Sequence, residues 1–288
     1  MLERHPRMNT GPVIIGGVGG SGTRLFAECF MAAGLRTLRD LNKPQDAMAC
    51  ALLFKRPSVL ADIEAVEPFR RLWRILEAGI DGGSPLSRED KDLLRTLALE
   101  TRHKHPRHWL LRRARRLARE ARGRAWTGRW FLKEPNLHWV APAALEHHPE
   151  PLFVMAVRHG TDMAFSRNRQ QVGVWGPTVL GEPGLEITPV ASLRYWCHVH
   201  RRIDEIRSRY PDRVLVVSYD QLCRRPELVL PRLFGFAGIE PTSALLARAT
   251  EGVKAPSSIG RHLDEDLSVF DPEDLAFVES FMTTIEMS

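Results

Sequence analysis

Five glycines in seven positions, Gly16, Gly17, Gly19, Gly20 and Gly22, stand between the apolar run PVIIGG at 12–17 and the stretch RLFAECFMAAGL at 24–35. Three consecutive β-branched or apolar residues stopped by glycine are too short for a helix, so 12–17 reads as a buried strand. The following stretch places Leu25, Cys29, Ala32 and Ala33 on one face, and Gly34 closes it as a helix. The chain thus opens as strand, glycine turn and helix. Amides of such a turn, with the unpaired amides of the first helical turn, make an anion site that needs no special side chain. Ser21, Thr23 and Arg24 add hydroxyls and a cation, so phosphate or sulfate binding is expected there.

Three more strands follow the same logic. WFLKEP at 130–135 is a short one stopped by Pro135, PLFVMAVRHG at 151–160 runs out at Arg158 and a glycine, and RVLVVSYD at 213–220 is continuously apolar. Helical material lies between them. It covers DAMACALLFKR and SVLADIEAVEPFRRLWRILEAG within 46–80, KDLLRTLALE after an imperfect Ser87/Asp90 capping box, the basic run 107–124, MAFSRNRQQV after Asp162, and 192–210. Residues 173–189, rich in Gly and Pro, read as a loop, and C-terminal helices are expected at 226–237, 241–249 and 272–286. Buried strands separated by helices predict an α/β fold with a mostly parallel sheet covered on both faces. With 288 residues, 43% of them apolar, residues 1–288 are expected to form a single domain around one core.

The formal charge is +6, yet residues 102–129 carry eleven Arg or Lys against one acid, Glu120, which leaves the rest of the chain at −4. The positive charge is therefore local and points to a local anionic partner or a solvated helix face. Arg112, Arg113, Arg116 and Arg119 recur largely at helical steps of three and four, a stripe suited to steering an anionic acceptor. Cys29, Cys50, Cys197 and Cys223 form no CxxC pair, which predicts reduced thiols acting as small buried hydrophobes in a cytoplasmic protein. The opening MLERHPRMNT has no apolar stretch of signal-peptide length, and no 18-residue window is apolar enough to span a bilayer.

GVGGSG at 17–22 comes close to the phosphate loop of nucleoside triphosphatases, but Thr23 and Arg24 stand where Lys and Ser or Thr are required. Asp220 could hold a metal, yet the missing lysine weakens a kinase reading. A dinucleotide loop fits in part, with its acid at Asp40 after no evident second strand.

GGSGTR at 19–24 together with VRHGTDMAFS at 157–166 resembles the sulfotransferase family that uses 3′-phosphoadenosine 5′-phosphosulfate (PAPS). The resemblance implies a P-loop-like α/β fold in which Gly19, Gly20, Ser21, Gly22, Thr23 and Arg24 cradle the 5′-phosphosulfate. It also implies that Arg158 and, eight residues on, Ser166 hold the 3′-phosphate. VLVVSYD is similar to the family strand that ends in Tyr and an acid, which puts Tyr219 near the adenosine. KAPSSIGRH at 254–262 resembles the late basic loop over the 3′-phosphate, without its RKG sequence, and offers Lys254 and Arg261. The likeness runs in order over 12–262. It agrees with the physical need of a donor with two anionic ends, which is for two sites at the carboxyl ends of parallel strands.

FLKEP resembles the family strand whose terminal Lys lies beside the phosphosulfate, so Lys133 is expected to neutralise the leaving phosphate. Gly20 stands where many cytosolic members carry a Lys, and Pro135 where they carry a His base. Other branches, including the tyrosylprotein sulfotransferases, use a carboxylate after the first helix. Here LRDLNKPQD offers Asp40 and Asp46. Asp40 stands first by its distance from Thr23, with Asp46, Glu134, His138 and His159 behind it.

The function expected from these residues is sulfuryl transfer from PAPS to a hydroxyl or amine. The acceptor class stays open, anionic and carbohydrate acceptors included. No metal is implied: there is no HExxH, and His103, His105 and His108 sit among arginines. The alternatives are a P-loop kinase-like phosphotransferase, dependent on Mg²⁺, and a non-catalytic anion or RNA binder using 102–129. Without an RRM, KH or zinc motif, nucleic acid is not expected as a partner.

Overall fold

The computed structural model describes residues 12–56, 58–100 and 105–287. The opening MLERHPRMNT, and Arg102 to Lys104 at the start of the basic segment, lie outside the described residues.

Four parallel strands form the centre: β1 (Val13–Gly17), β2 (Phe131–Lys133), β3 (Leu152–Val157) and β4 (Val214–Ser218), in the order β2-β1-β3-β4. Alternate residues face opposite ways, as a pleat demands. Ile14, Leu132, Phe153, Met155 and Val216 enter one apolar cluster, while Val13, Ile15, Phe131, Val154 and Val217 enter the other. Both faces are therefore covered, which explains why the strands read as unbroken apolar runs. Helix α1 (Thr23–Ala32) and the C-terminal helices Pro226–Phe236 and Ser243–Thr250 cover one face. Val66–Asp81, Arg88–Leu99, Arg107–Glu120, Pro189–Arg209 and Pro272–Met287 cover the other. The fold is α/β with a parallel central sheet flanked by helices, as the sequence predicts.

Local signals behave as their chemistry requires. The Ser87 hydroxyl accepts a hydrogen bond from the Asp90 amide at 3.0 Å, completing the cap of Arg88–Leu99. Three expectations need correction, the first being MAFSRNRQQV, which is helical only at its ends, in Gly160–Ala164 and from Gln170 on. The helical run read across 58–80 is two helices, Val59–Glu64 and Val66–Asp81. Pro68 lacks an amide hydrogen and its ring crowds the carbonyl four residues back, so one continuous helix is blocked there. The loop read at 173–189 is helical in its first part, Gln170–Val179, with Pro177 inside it. Trp175 is fully buried and its indole N–H donates to Asn136 Oδ1 at 2.7 Å, so tertiary packing overrides the Gly and Pro signals. All four cysteines are buried and unpaired. Among the described residues no helix is long and apolar enough to cross a membrane.

The long helix Pro189–Arg209 ties the sheet to the site, because its Trp196 indole donates to the carbonyl of Arg158 at 3.1 Å. One turn on, His200 is fully buried, stacks on Trp196 at 3.9 Å and bonds through Nδ1 to the Trp196 carbonyl. Burial pushes its pKa down to about 3 and outweighs that hydrogen bond; the same holds for buried His138. An unfolded chain protonates both imidazoles below pH 6.5 while the folded chain does not, so their stabilisation is whole above 6.5 and lost as pH falls towards 3. His200→Gln should lessen the slope of unfolding free energy against pH by about 0.7 kcal/mol per pH unit at pH 6.5, rising to about 1.4 near pH 5. Urea titrations across that range check this; an unchanged slope would mean that His200 takes up its proton while folded.

Candidate active site

Because the strands are parallel, all their carboxyl ends open on one side. The glycine turn leaves β1 there, Lys133 ends β2, Arg158 follows β3 and Tyr219 follows β4. The connections from β1 and β3 run to opposite sides, to β2 and to β4. This makes the gap between β1 and β3 a switch point where α/β sheets take ligands.

The turn is closed by the Ser21 amide donating to the Val18 carbonyl at 2.9 Å. Gly22 has φ +80°, and a Cβ on it would lie 2.1 Å from the Tyr219 ring, so both backbone and space demand glycine. No side chain caps α1, which leaves first-turn amides for a ligand. The Ser21 hydroxyl is 2% exposed and has no hydrogen-bond partner. An orphaned buried hydroxyl beside uncapped amides fits a phosphosulfate oxygen, which would satisfy it.

A cleft of about 450 Å³ lies over this turn. Gly19, Gly20, Gly22, Thr23 and Arg24 line one side, and Asp46, Lys133 and Glu134 another. Lys133 is 2% exposed and its Nζ donates to the Pro44 carbonyl at 2.8 Å and to Asp46 Oδ1 at 2.5 Å. Asn42 Nδ2 holds the other oxygen of Asp46 at 2.8 Å, and the Asp46 amide returns a bond to Asn42 Oδ1. The tight turn that presents Asp46 contains Gln45 at φ +66°, the one left-handed residue other than glycine among those described. Arg24, more than half exposed, pairs with Glu28 one turn on. Glu134 is fully buried and accepts two bonds from Asn136; burial raises its carboxyl above the ordinary range although nearby Lys55 opposes this.

A second cationic focus lies beyond Tyr219. Arg158 is 6% exposed and sits over the Tyr219 ring at 5.8 Å. One of its terminal nitrogens donates to Ser258 Oγ at 2.9 Å, while its Nε has no partner. Asp162 and Asp220 stand off at 3.8 and 3.9 Å. The loop bearing Ser258 is folded back by Asp162, which accepts from the Gly260 amide, the His262 amide and His262 Nδ1. Arg261 is brought near Arg158 and Arg167; burial first, then those two charges, hold its pKa below the ordinary guanidinium value. Guanidiniums that converge without hydrogen-bonded carboxylates fit an anionic group placed among them. Ser166 Oγ lies 3.7 Å from where a Cβ on Gly20 would stand, so Ser166 adjoins the glycine turn.

The structure therefore brings together the glycine turn, Lys133 and Asp46 in one cleft, and Arg158, Arg261 and Tyr219 at its neighbour. It does not bring Asp40 into either. Asp40 is 5% exposed, and Arg113, at 2.5 Å, and Arg116 both hold its Oδ1. His138 is buried against the core, and His159 stacks on His262 at 4.5 Å, so neither lines the cleft. Lys254 is exposed. Sequence reasoning missed Lys55 and Gln171, which line the cleft, and Arg167 beside Arg261. No spacing marks Lys55, which follows the short helix Met48–Leu53, whereas Arg167 adjoins Ser166 and could have been read from that neighbour. Among the described residues no three His, Cys, Asp or Glu side chains gather as metal ligands.

The sequence profile of the sulfotransferase family matches residues 12–243, and the chain belongs to that family. No curated protein sequence matches it. Among solved structures it is similar to the sulfotransferase domain of the Synechococcus PCC 7002 olefin synthase, at 18% identity and TM-score 0.47 over 95% of this chain and 96% of that one. The sulfotransferase domain from the curacin biosynthetic pathway is 13% identical, with TM-score 0.47 over 94% and 97%. Sulfotransferase STF9 from Mycobacterium avium is 16% identical, with TM-score 0.47 over 97% of this chain and 79% of that one.

Asp40 carries the clamp between the loop after α1 and the basic helix. Asp40→Asn would leave the largely buried Arg113 without its counter-charge, an expected loss of about 3 kcal/mol in unfolding free energy. Chemical denaturation measures it; wild-type stability combined with lost turnover would return Asp40 to the reacting centre.

Proposed function

We propose that the protein transfers a sulfuryl group from PAPS to a hydroxyl or amine acceptor, with Asp46 as the general base. The observation that carries this is the meeting, in one cleft, of the glycine turn with the Lys133–Asp46 pair. When bound, the donor supplies an activated sulfuryl group on a phosphate leaving group. The chain's own residues then divide the work. The Ser21 hydroxyl and the amides of the turn and of α1 bind the phosphosulfate end, and Arg158 and Arg261 the 3′-phosphate, with Tyr219 between and Ser166 beside the turn. Two acceptors occupy the Lys133 ammonium, whose third N–H stays available to an oxygen that gains negative charge. The Asp46 carboxylate has about four lone-pair sites and only two side-chain donors, so it retains capacity for a proton from the acceptor. Its bonds to Lys133 and Asn42 hold it fixed for that transfer.

Donor choice is the direct test. Calorimetry should find that adenosine 3′,5′-bisphosphate binds without divalent metal and ATP binds more weakly. Arg158→Ala removes a charge-assisted contact worth about 1.5–3 kcal/mol, an expected 10- to 150-fold loss of bisphosphate affinity. ATP binding that is tighter and needs Mg²⁺ would replace sulfuryl transfer with a kinase-like reaction.

Asp46→Asn should lower turnover about 10²- to 10⁴-fold, on an acceptor found by screening hydroxyl compounds, with bisphosphate affinity kept within a few-fold. Lys133→Ala should likewise lower kcat more than donor affinity, because its contact strengthens as the leaving group gains charge. Retention of more than about a third of wild-type turnover by Asp46→Asn would remove it as the base.

A further inference from the structure

Residues 36–46 border two clefts. Asn42, Pro44 and Asp46 line the one described above, while Arg36, Arg39 and Asp40 line a second, of about 430 Å³, closed by the basic helix Arg107–Glu120 and the residues just after it. Leu41 pairs with Ala47, and the Met48 amide donates to the Asp40 carbonyl at 2.9 Å. The chain therefore doubles back on itself here, and the backbones of Asp40 and Asp46 lie on the order of 10 Å apart.

Arg36, Arg39, Arg116, Arg119 and Arg124 line the second cleft. Against them stand two carboxylates, and both are engaged. Asp40 is held by Arg113 and Arg116, and Glu120 accepts from the Arg39 amide at 3.1 Å. Arg36 lies over the half-exposed Trp126 ring at 5.4 Å. None of Arg39, Arg119 and Arg124 makes an ion pair within 4 Å among the described residues, and Glu120, whose charge acts on Arg39, is the one carboxylate of the cleft left to offset them. Like charges gathered in a concavity repel one another and focus their field into it, so the arrangement is stabilised by an anion that enters. Guanidinium forks match the oxygens of sulfate and phosphate in particular.

We propose that this arginine cleft binds the anionic end of the acceptor, so that the acceptor is a hydroxyl compound already carrying sulfate or phosphate esters. The inference rests on the sulfuryl-transfer reading above and adds the substrate class. It also sorts the basic helix. Arg112 and Arg115 are exposed and lie outside the cleft, a solvated face, whereas Arg119 shares the concavity with Arg36 and Arg39.

The test is calorimetry on protein saturated with adenosine 3′,5′-bisphosphate, titrated with a heparin-derived tetrasaccharide and, separately, with inorganic tripolyphosphate. Both probes should bind in low salt. The double variant Arg39→Gln/Arg119→Gln should weaken them at least about 10-fold and flatten their salt dependence, since Gln keeps side-chain length and helix propensity. Arg112→Gln/Arg115→Gln, which removes the same charge from outside the cleft, should cost no more than about 3-fold. Tighter binding of the tetrasaccharide assigns the cleft to sulfate esters, and tighter binding of tripolyphosphate to phosphate esters. Equal losses in the two double variants, absence of binding, or preference for a short single-stranded RNA over both probes would overturn the proposal. If the bisphosphate itself fails to bind, the donor reading falls, and the same titrations of the free protein still decide the cleft.

Discussion

Parallel pairing of β1 with both β2 and β3 is the constraint on which the rest of the structure depends. Ile15 lies beside Lys133 and Gly17 beside Ala156, so the register itself places the end of β2 and the end of β3 against the start of the glycine turn. A parallel sheet needs helices on both faces and leaves its strand ends as the open backbone. Residues more than a hundred positions apart thereby become neighbours. The core needs only that the strands be apolar, so chemistry is free to differ in the one or two residues after each strand.

Charge in the site is kept incompletely neutralised, which costs stability in the absence of an anion. Arg158 is almost fully buried, yet its two nearest carboxylates stand beyond hydrogen-bond distance and its Nε is left without a partner. Asp220 is itself raised above the ordinary carboxylate range, first by burial, with Arg158 acting against that shift. A tighter Arg158–Asp220 pair would lower the local energy of the empty site and would compete with any anion. The arrangement instead holds the guanidinium over the Tyr219 ring and against a hydroxyl of a loop that Asp162 fixes from below. An anion bound there would offset the desolvation of the cation.

Features carried by local chemistry were legible in the sequence, and features carried by distant contacts were not. The four strands, the Ser87 cap and the C-terminal helices follow from short apolar runs, a hydroxyl three residues from an acid, and 3.6-residue periodicity. Lys133 and Arg158 were readable because FLKEP and VRHGTDMAFS resemble family motifs, and each stands at the end of an apolar run. The helix Gln170–Val179 was hidden because its Gly and Pro content is overruled by Trp175, whose partner Asn136 is 34 positions earlier than Gln170. Spacing from Thr23 put Asp40 ahead of Asp46, but spacing says nothing of which carboxylate meets the cleft. What separates them is that Arg113, 73 positions on, reaches the first, and Lys133, 87 positions on, reaches the second.

That separation gives the basic helix a structural role. Arg36 is joined to the sheet edge, its carbonyl accepting from the Phe131 amide at 2.8 Å, and the Ala47 amide donates to the Lys133 carbonyl at 2.7 Å. Between these two anchors Asp40 ties the loop to Arg113 and Arg116, beside the Arg39 amide on Glu120, Gln45 on Glu28 and Asp46 on Lys133. Arg113 also lies over the Trp109 ring at 4.4 Å, a second contact that fixes its direction towards Asp40. The left-handed turn at Gln45 then has little freedom left, and Asp46 is delivered onto Lys133. A helix whose arginines repel one another is destabilised on its own, and two of them are relieved by one buried carboxylate of the loop. The repulsion among Arg39, Arg119 and Arg124 is offset only by Glu120, so the contact that sets the position of Asp46 also forms a wall of a cleft that keeps positive charge.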